Sequence, residues 1–579
     1  MAQNKLPYSK KCLGLMLALA TVCSVSPAFA APTDVARPPG ADAGGIRHSV
    51  EQPLVSGPET SRVEIEVERP EPSEPGEEEQ GLRIHVKAFR ITGQDLYSQE
   101  ELQELVKDSV DQDLTLDELQ AIAQKIAEHF RKDGYIVANA YLPAQDVAEG
   151  ILEIIVVPGR YEGIDIRNQS RLDSKIVENW LSVIKPGDYV KKDVLERALL
   201  LMSDTSGVSI KATLAPGKAS GTTTLIVEIA DSHEMGGTFS LNNHGNYYTG
   251  QGRGRVSVDF NNISGKGDVL RLDDTYSGGG MNNAALQYLL PIGKNGARVG
   301  VSYSTMHYKL GKEFKALEFG GDSKVAGIFA SCPVIRSRDA NLFVQIGYDV
   351  RKLTDKGFWP GYVLSDKQDN IFSVGLNGAS RDAKGFNTYD LTIATGDLSF
   401  KGGRSIFGEP VEQTDRLTAK TAGRYTKINL GFSRQQVLSD RLSFLFSVNG
   451  QAASKNLDSS QKLYLGGANA VRAYAEGEAS GDQGYIVTGE LRWNLPTRSI
   501  LSLQLAVFID HGQVTVHKNS WPGSGDNSLS LSGAGLGLIA NIHKDYTVRL
   551  DYAKKISAKE DTAAPDKGGR WWLMGTQYF

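Results

Sequence analysis

The sequence predicts a membrane β-barrel of about sixteen antiparallel strands preceded by two small α+β domains. Three observations carry this reading. From Met235 onward helical periodicity vanishes, and segments that alternate apolar with polar or small residues run to Phe579. Upstream, residues 83–160 and 161–232 each read as a strand–helix–helix–strand–strand unit. The mean hydropathy is only −0.28. A barrel that turns every second side chain to lipid keeps such a polar average.

The first residues set the compartment. Lys5, Lys10 and Lys11 precede an apolar run from Leu13 to Val22, and Ala28-Phe29-Ala30 is a small-x-small cleavage site. Residues 1–30 are therefore predicted to be a secretory signal peptide, too short and too well terminated for a membrane helix. Cys23 raises the alternative of a lipoprotein signal, but Val22 is too large to precede a lipidated cysteine. Without the signal Cys332 is the only cysteine, which excludes a disulfide framework and a cysteine metal site. No later run is long enough for a membrane helix. A net charge of −5 gives no case for nucleic-acid binding.

Residues 31–82 form a predicted amino-terminal segment and linker. Residues 41–52 make a short helix weakened by Gly44 and Gly45, and RPEPSEPGEEEQ at 69–80 reads as an extended acidic tether. In the first module RIHVKAFRITG is a strand. Ser98 with Glu101 and Thr115 with Glu118 are capping boxes for two helices. Leu119, Ile122, Ala123, Ile126 and Phe130 line one helix face, and Gly134 ends that helix. YIVANAYLPAQ and ILEIIVVPGR complete the unit. The second module repeats the order: a strand at YEGIDIRN, helices at 174–184 and around Val194 to Met202, then the strands VSIKATLAPG and TTTLIVEIAD.

Residues 233–579 are the predicted barrel. Arg255, Ser257 and Asp259 alternate with Val256, Val258 and Phe260, and Arg549, Asp551 and Ala553 with Val548, Leu550 and Tyr552. Charges on one parity fit a water-filled lumen and would be costly against lipid. The chain ends in WWLMGTQYF, where Phe579, Tyr578 and Leu573 suit the last strand of an outer-membrane barrel. Gln577, on the outward parity, departs from the usual apolar choice. Long loops are expected at 352–368, 399–422 and 513–528.

A further long loop, 453–484, is expected to fold into the lumen. Its core, LGGANAVRAYAEGEASGDQGY, begins with Gly466 and Gly467 and closes with Gly481, Asp482 and Gly484. At its centre stand Val471, Arg472, Ala473 and Tyr474. The stretch LSLQLAVFIDHG alternates strictly, so if Leu505, Val507 and Ile509 meet lipid, Asp510 points inward towards Arg472. From the residues alone, Arg472 either pairs with that carboxylate or lines a polar pore.

These stretches resemble the two-partner secretion translocators, the TpsB-type haemolysin secretion/activation proteins. The segments FRITG and DLTLDELQAIAQKIAEHFRKDGYIVANAYLPAQ are similar to a first POTRA domain, and residues 161–231 to a second. YLLPIG at 288–293 and the loop core are similar to the family's barrel motifs. The resemblance implies that Arg472, in a VRGY-type loop tip, pairs with Asp510 of the F-x-D-x-G motif Phe508-Ile509-Asp510-His511-Gly512. Ala473 stands where many members have glycine. It further implies a pore in the Gram-negative outer membrane with periplasmic POTRA domains. Its partner would be a secreted exoprotein carrying an amino-terminal secretion domain, and its surroundings outer-membrane lipid. The barrel assembly machinery would act during biogenesis, with Phe579 as the carboxy-terminal signal.

Nothing in the motifs supports catalysis, a cofactor or a metal. The histidines are scattered, and no HExxH, GxSxG or phosphate loop occurs. Two other transport classes stay open: a barrel-assembly factor of the BamA or TamA type, and a passive porin.

Overall fold

The computed structural model describes residues 39–51, 65–67 and 83–579, apart from 148, 359–360, 406–407, 498–499, 544 and 558. The predicted signal peptide and the predicted tether at 69–80 lie outside the described residues.

In the first module the strands Ala88–Thr92, Ile151–Val157 and Asn139–Tyr141 form one sheet, with Ile151–Val157 in the middle. The helices Gln99–Val106 and Leu116–Lys132 pack on it through Leu102, Leu119, Ile126 and Phe130. The longer helix has a complete capping box at Thr115 and Glu118, whereas at the shorter one the Ser98 hydroxyl accepts from Glu101 N at 3.2 Å. RIHVKAFRITG is not one strand but two. Arg83–Val86 peels away to pair with Gln112–Thr115, a strand that its charged, short sequence hides.

The second module has helices Ser174–Leu181 and Lys192–Ser203 over strands Arg160–Asn168, Thr222–Asp231 and Val208–Pro216. A fourth strand comes from the amino-terminal segment just before the predicted tether. Ile65–Val67 runs parallel to the edge strand, with Ile65 opposite Ala212 and Val67 opposite Leu214. Tyr135 and Tyr189 meet edge-on at 5.8 Å where the modules join, and the Arg160 guanidinium lies 3.6 Å over the Tyr189 ring.

Met235–Asn242 to Gly569–Tyr578 form a closed, wholly antiparallel barrel of sixteen strands. The last strand pairs with the first from Thr238–Tyr578 to Asn242–Met574. Phe579 extends this seam, donating its N–H to Gly237 O at 3.1 Å and accepting from Gly237 N at 2.9 Å. Alternation sets the two faces. Leu505, Val507 and Ile509 are exposed on the outer wall, while Ala506, Phe508 and Asp510 are buried inside. Inner charges pair across strands, Arg271 with Asp259 at 2.6 Å and Arg255 with Asp273 at 2.5 Å. Cys332 sits on a barrel strand with outward parity.

The strands in the middle of the barrel are longer than the roughly ten residues that cross a membrane. Val363–Asp382 has 20 residues, so 352–368 is mostly paired strand and only its tip is a loop. The loop within 399–422 carries a helix, Val411–Leu417, and that within 513–528 starts after Thr515.

One buried ion pair joins the second module to the barrel. Arg336 Nε donates to Asp204 Oδ2 at 2.7 Å and Nη2 to Oδ1 at 2.5 Å, with both side chains nearly inaccessible. Arg197 Nη2 adds a bond to Pro333 O at 3.0 Å. Leaving one buried charge unpaired costs about 3–5 kcal/mol. Asp204→Ala should therefore loosen this junction, and limited proteolysis should cut near Ser232–Glu234 under conditions that leave the unaltered protein whole.

Candidate functional site

The long loop turns back into the barrel. Its two limbs pair briefly through Leu463–Tyr464 and Ser480–Gly481, and Gly466 bridges to Val471. Leu465 N donates to Ala479 O and Val471 N to Leu465 O, each at 2.8 Å, which folds the tip on itself; Gly467, at φ +123°, turns the chain there. Asp482 holds the base. Its carboxylate accepts from Leu457 N at 3.0 Å and Lys518 N at 2.7 Å and meets Lys462 Nζ at 3.0 Å. Gly484 is the second residue of the return strand, Gln483–Leu495.

Apolar contact seats the tip against the wall. Leu465, Val471, Ala473 and Tyr474 are fully buried with Phe508, Val514, Leu531 and Ala553. The Ala473 methyl lies where Gly533 has no side chain: a Cβ on Gly533 would stand 2.4 Å from Ala473 Cβ. Ala473 does not have positive φ. Alanine thus fits at this position because the facing strand supplies a glycine. Gly512, two residues beyond Asp510, faces Leu465 and Val471 in the same contact.

Arg472 reaches the inner wall. Its Nε donates to Asp510 Oδ2 and its Nη2 to Asp510 Oδ1, both at 2.8 Å, a two-pronged pairing of planar groups. Its backbone N–H also reaches Asp510 Oδ2 at 3.2 Å. The guanidinium carbon lies 3.3 Å from the centroid of the Phe508 ring, a cation–π stack. From the last strand, Trp572 Nε1 donates to Arg472 O at 2.6 Å.

Other members of the cluster were not singled out from sequence. Arg472 Nη1 donates to Glu490 Oε2 at 2.8 Å and to Asp551 Oδ2 at 3.2 Å. Arg492 binds Glu490 at 2.7 Å, and Arg549 binds Glu490 at 2.8 Å and Asp551 at 2.9 Å. Thr488 Oγ1 donates to Asp510 Oδ1 at 2.9 Å. Three cations thus face three anions, and the group borders a polar cavity of about 260 Å³. Strand parity is the signal that finds them. Glu490 and Arg492 share one face of Gln483–Leu495, and Arg549 and Asp551 one face of Tyr546–Lys555.

Beyond the arginine the loop meets the last connecting loop. Tyr474 OH and Ser557 Oγ lie 2.5 Å apart, and Glu478 accepts from Thr562 N and Ala563 N at 2.8 and 2.9 Å.

The amino-terminal segment enters the same lumen. Asp42 caps the helix Ala43–His48, accepting from Gly45 N at 2.7 Å, and Asp355 accepts from Ala43 N at 2.9 Å. Ile46 packs among Met281, Met306, Tyr308 and Leu353. Arg351 binds Glu51 at 2.7 Å, Arg253 Nη1 donates to Ser49 O at 2.9 Å, and His48 stacks on Tyr464 of the long loop. A polar cavity of about 350 Å³ separates helix and loop, bordered by His48, Glu51, Arg253 and Glu476.

A closed outer-membrane barrel with POTRA domains and a loop folded into its lumen is the architecture expected of a two-partner secretion transporter, a class that the comparisons with known proteins support. The chain belongs to the haemolysin secretion/activation family ShlB/FhaC/HecB, whose model matches residues 221–540, and an ShlB-type POTRA domain matches 84–159. It is 31% identical over 485 residues to the heme/hemopexin transporter protein HuxB of Haemophilus influenzae, spanning 82% of this chain and 83% of that one. It is 22% identical over 473 residues to the outer membrane transporter CdiB of Dickeya dadantii, spanning 79% and 80%. The solved structure of CdiB from Escherichia coli superposes with a TM-score of 0.64 at 20% identity, covering 92% of this chain and 95% of that one. Members of this family are transporters of the outer membrane.

Gly533→Leu would put a side chain into the space of the Ala473 methyl. Amide exchange over residues 465–484 should then speed up while the barrel strands keep their protection; unchanged loop exchange would contradict this packing.

Proposed function

We propose that this protein is the pore through which a secreted exoprotein, of the adhesin, haemolysin or contact-dependent toxin class, reaches the cell surface. The POTRA domains take up its amino-terminal secretion domain in extended form, and the barrel passes the chain outward without ATP. Folding outside supplies the direction. The observation that carries this reading is that the lumen is occupied by two segments of the chain itself, held by hydrogen bonds and ion pairs as well as by apolar seats, beside cavities of about 350 and 260 Å³. Polar contacts of this kind can exchange for water, at a net cost of about 1.5–3 kcal/mol for each hydrogen bond to a charged group. A passive porin needs neither segment nor POTRA domain.

Uptake in extended form suits the second module. Its outer edge already accepts an extended strand, Ile65–Val67, through backbone pairing. A client strand would add in the same way, with affinity from the main chain and tolerance of sequence. On this reading the other partners are outer-membrane lipid and, during biogenesis, the barrel assembly machinery. No cofactor is called for. Among the relatives, HuxB bears the name of a heme/hemopexin transporter and CdiB that of an outer membrane transporter.

Arg472→Ala and Asp510→Ala should each abolish export while the barrel still inserts and keeps its heat-modifiable gel mobility. The readout is the location of newly made client. Accumulation in the periplasm supports the reading, whereas normal surface delivery by both variants defeats it. Client arriving instead as an inserted membrane protein would assign the chain to barrel assembly. Removing residues 39–51 should raise single-channel conductance in a planar bilayer; unchanged conductance would mean that the helix does not obstruct the pore.

A further inference from the structure

We propose that the outward face of the strands Ala297–Lys309, Gly320–Arg336 and Ala340–Lys356 binds the phosphorylated headgroup of an outer-leaflet lipid, the lipid A portion of lipopolysaccharide. The ends of these strands are identified by their contacts. Arg298 donates to Asp204 O of the second module, and Arg336 pairs with the Asp204 side chain, so those ends face the periplasm. Lys309, Gly320 and Lys356 therefore stand at the outer end.

Register and alternation place four lysines there on the lipid side. Lys324 lies directly opposite Lys352, and Gly320 lies between Lys309 and Lys356. The inward residues at the same height are Met306, Tyr308, Leu353 and Asp355, which are buried in the lumen. Just below, on the same outer face, Tyr303 pairs across to Ala326, and Tyr348 to Ile328. Both tyrosines are half exposed, as at a membrane boundary. Lys324 is two residues, about 7 Å, beyond Ala326, and Lys352 is four residues, about 14 Å along the strand, beyond Tyr348; Lys309 and Lys356 stand further out, so the lysines run outward from the boundary where hydrocarbon gives way to headgroups. Their stems can lie along the apolar wall while the ammonium groups reach the phosphates.

Two lysines facing each other on one side of an antiparallel pair repel. Neither Lys324 nor Lys352 has an ion-pair partner among the described residues, and nor does Lys309. Of the carboxylates on this face, Asp322 is engaged by Lys356 and His307, each at 2.9 Å, and Asp366, on the next strand opposite Thr354, accepts from Thr354 Oγ1 at 3.2 Å. The arrangement leaves a concentrated positive charge that an external anion would neutralise. Elsewhere on the outer rim outward cations stand singly, Arg424 opposite Asp397 and Lys554 opposite Ala534 and Gly569, and no second pair of lysines faces across two strands among the described residues. Lipid A carries phosphate at both ends of a disaccharide above several acyl chains, which matches paired lysines over an apolar surface.

The test uses the full chain in detergent, titrated with bisphosphorylated lipid A, dephosphorylated lipid A and inorganic phosphate. Lys324→Gln and Lys352→Gln should each weaken binding of the bisphosphorylated lipid about fivefold, and the double variant about thirtyfold, from the attraction of a near-surface lysine to anionic lipid. Lys218→Gln, in the second module, should leave it unchanged. Heat-modifiable mobility confirms that each variant is folded. Equal affinity of the double variant and the unaltered protein would overturn the proposal. So would equally tight binding of the dephosphorylated lipid, which would assign the site to acyl chains, or saturation by inorganic phosphate at the same concentration, which would remove the lipid from the account.

Discussion

A guanidinium carried 38 residues along the chain from its carboxylate is the contact on which the interior of this barrel depends. Arg472 cannot be buried alone, because an isolated charge removed from water is far too costly. The wall answers with Asp510, Glu490 and Asp551, and these need Arg492 and Arg549 in turn. Such a network has to be complete to be tolerated. That requirement draws the loop inward and specifies one depth and one orientation for its tip, since a two-pronged bond with the Phe508 ring stacked on the guanidinium tolerates little rotation.

The amino-terminal helix follows the same logic on the opposite side of the cavity. Six residues do not make a stable helix in water. This one is held by Asp42 at its start, by Asp355 and Arg351 of the wall, and by Ile46 in an apolar seat. Gly44 lowers its helix propensity yet allows the close approach to the long loop: a Cβ there would stand 2.4 Å from Ser460 N. Two segments that are weak on their own thus support each other across a wet lumen, and each is tied to the wall by polar groups that water can replace. A filling of that kind can keep a pore closed at rest and still be moved.

Much of this was legible in the sequence because barrel strands obey a period of two. Parity alone turned Asp510, Arg549 and Asp551 inward and Leu505, Val507 and Ile509 outward. The pairing of Arg472 with Asp510 came from two motifs together, and the side chains lie 2.8 Å apart. Glu490 and Arg492 were passed over because TGELRW reads as an ordinary strand until its neighbours are known. The strand Ile65–Val67 could not be seen, since three residues ahead of an acidic tether carry no periodicity and exist as a strand only through pairing with Ala212 to Leu214. Similarly Gln112–Thr115 is strand by virtue of Arg83–Val86 alone. Loop lengths were overstated where strands project beyond the membrane, because there both faces are wet and the alternation that marks lipid disappears.

The most direct test of the central claim is a double-mutant cycle at Arg472 and Asp510, read as the thermal stability of the purified barrel. Neighbours sharing one network couple by about 0.5–3 kcal/mol, whereas independent sites add. If Arg472 is held through Asp510, Asp510→Ala will cost much in the presence of Arg472 and little once Arg472 is alanine. Strict additivity of the two substitutions would show that each acts separately, and the loop would then need some other anchor.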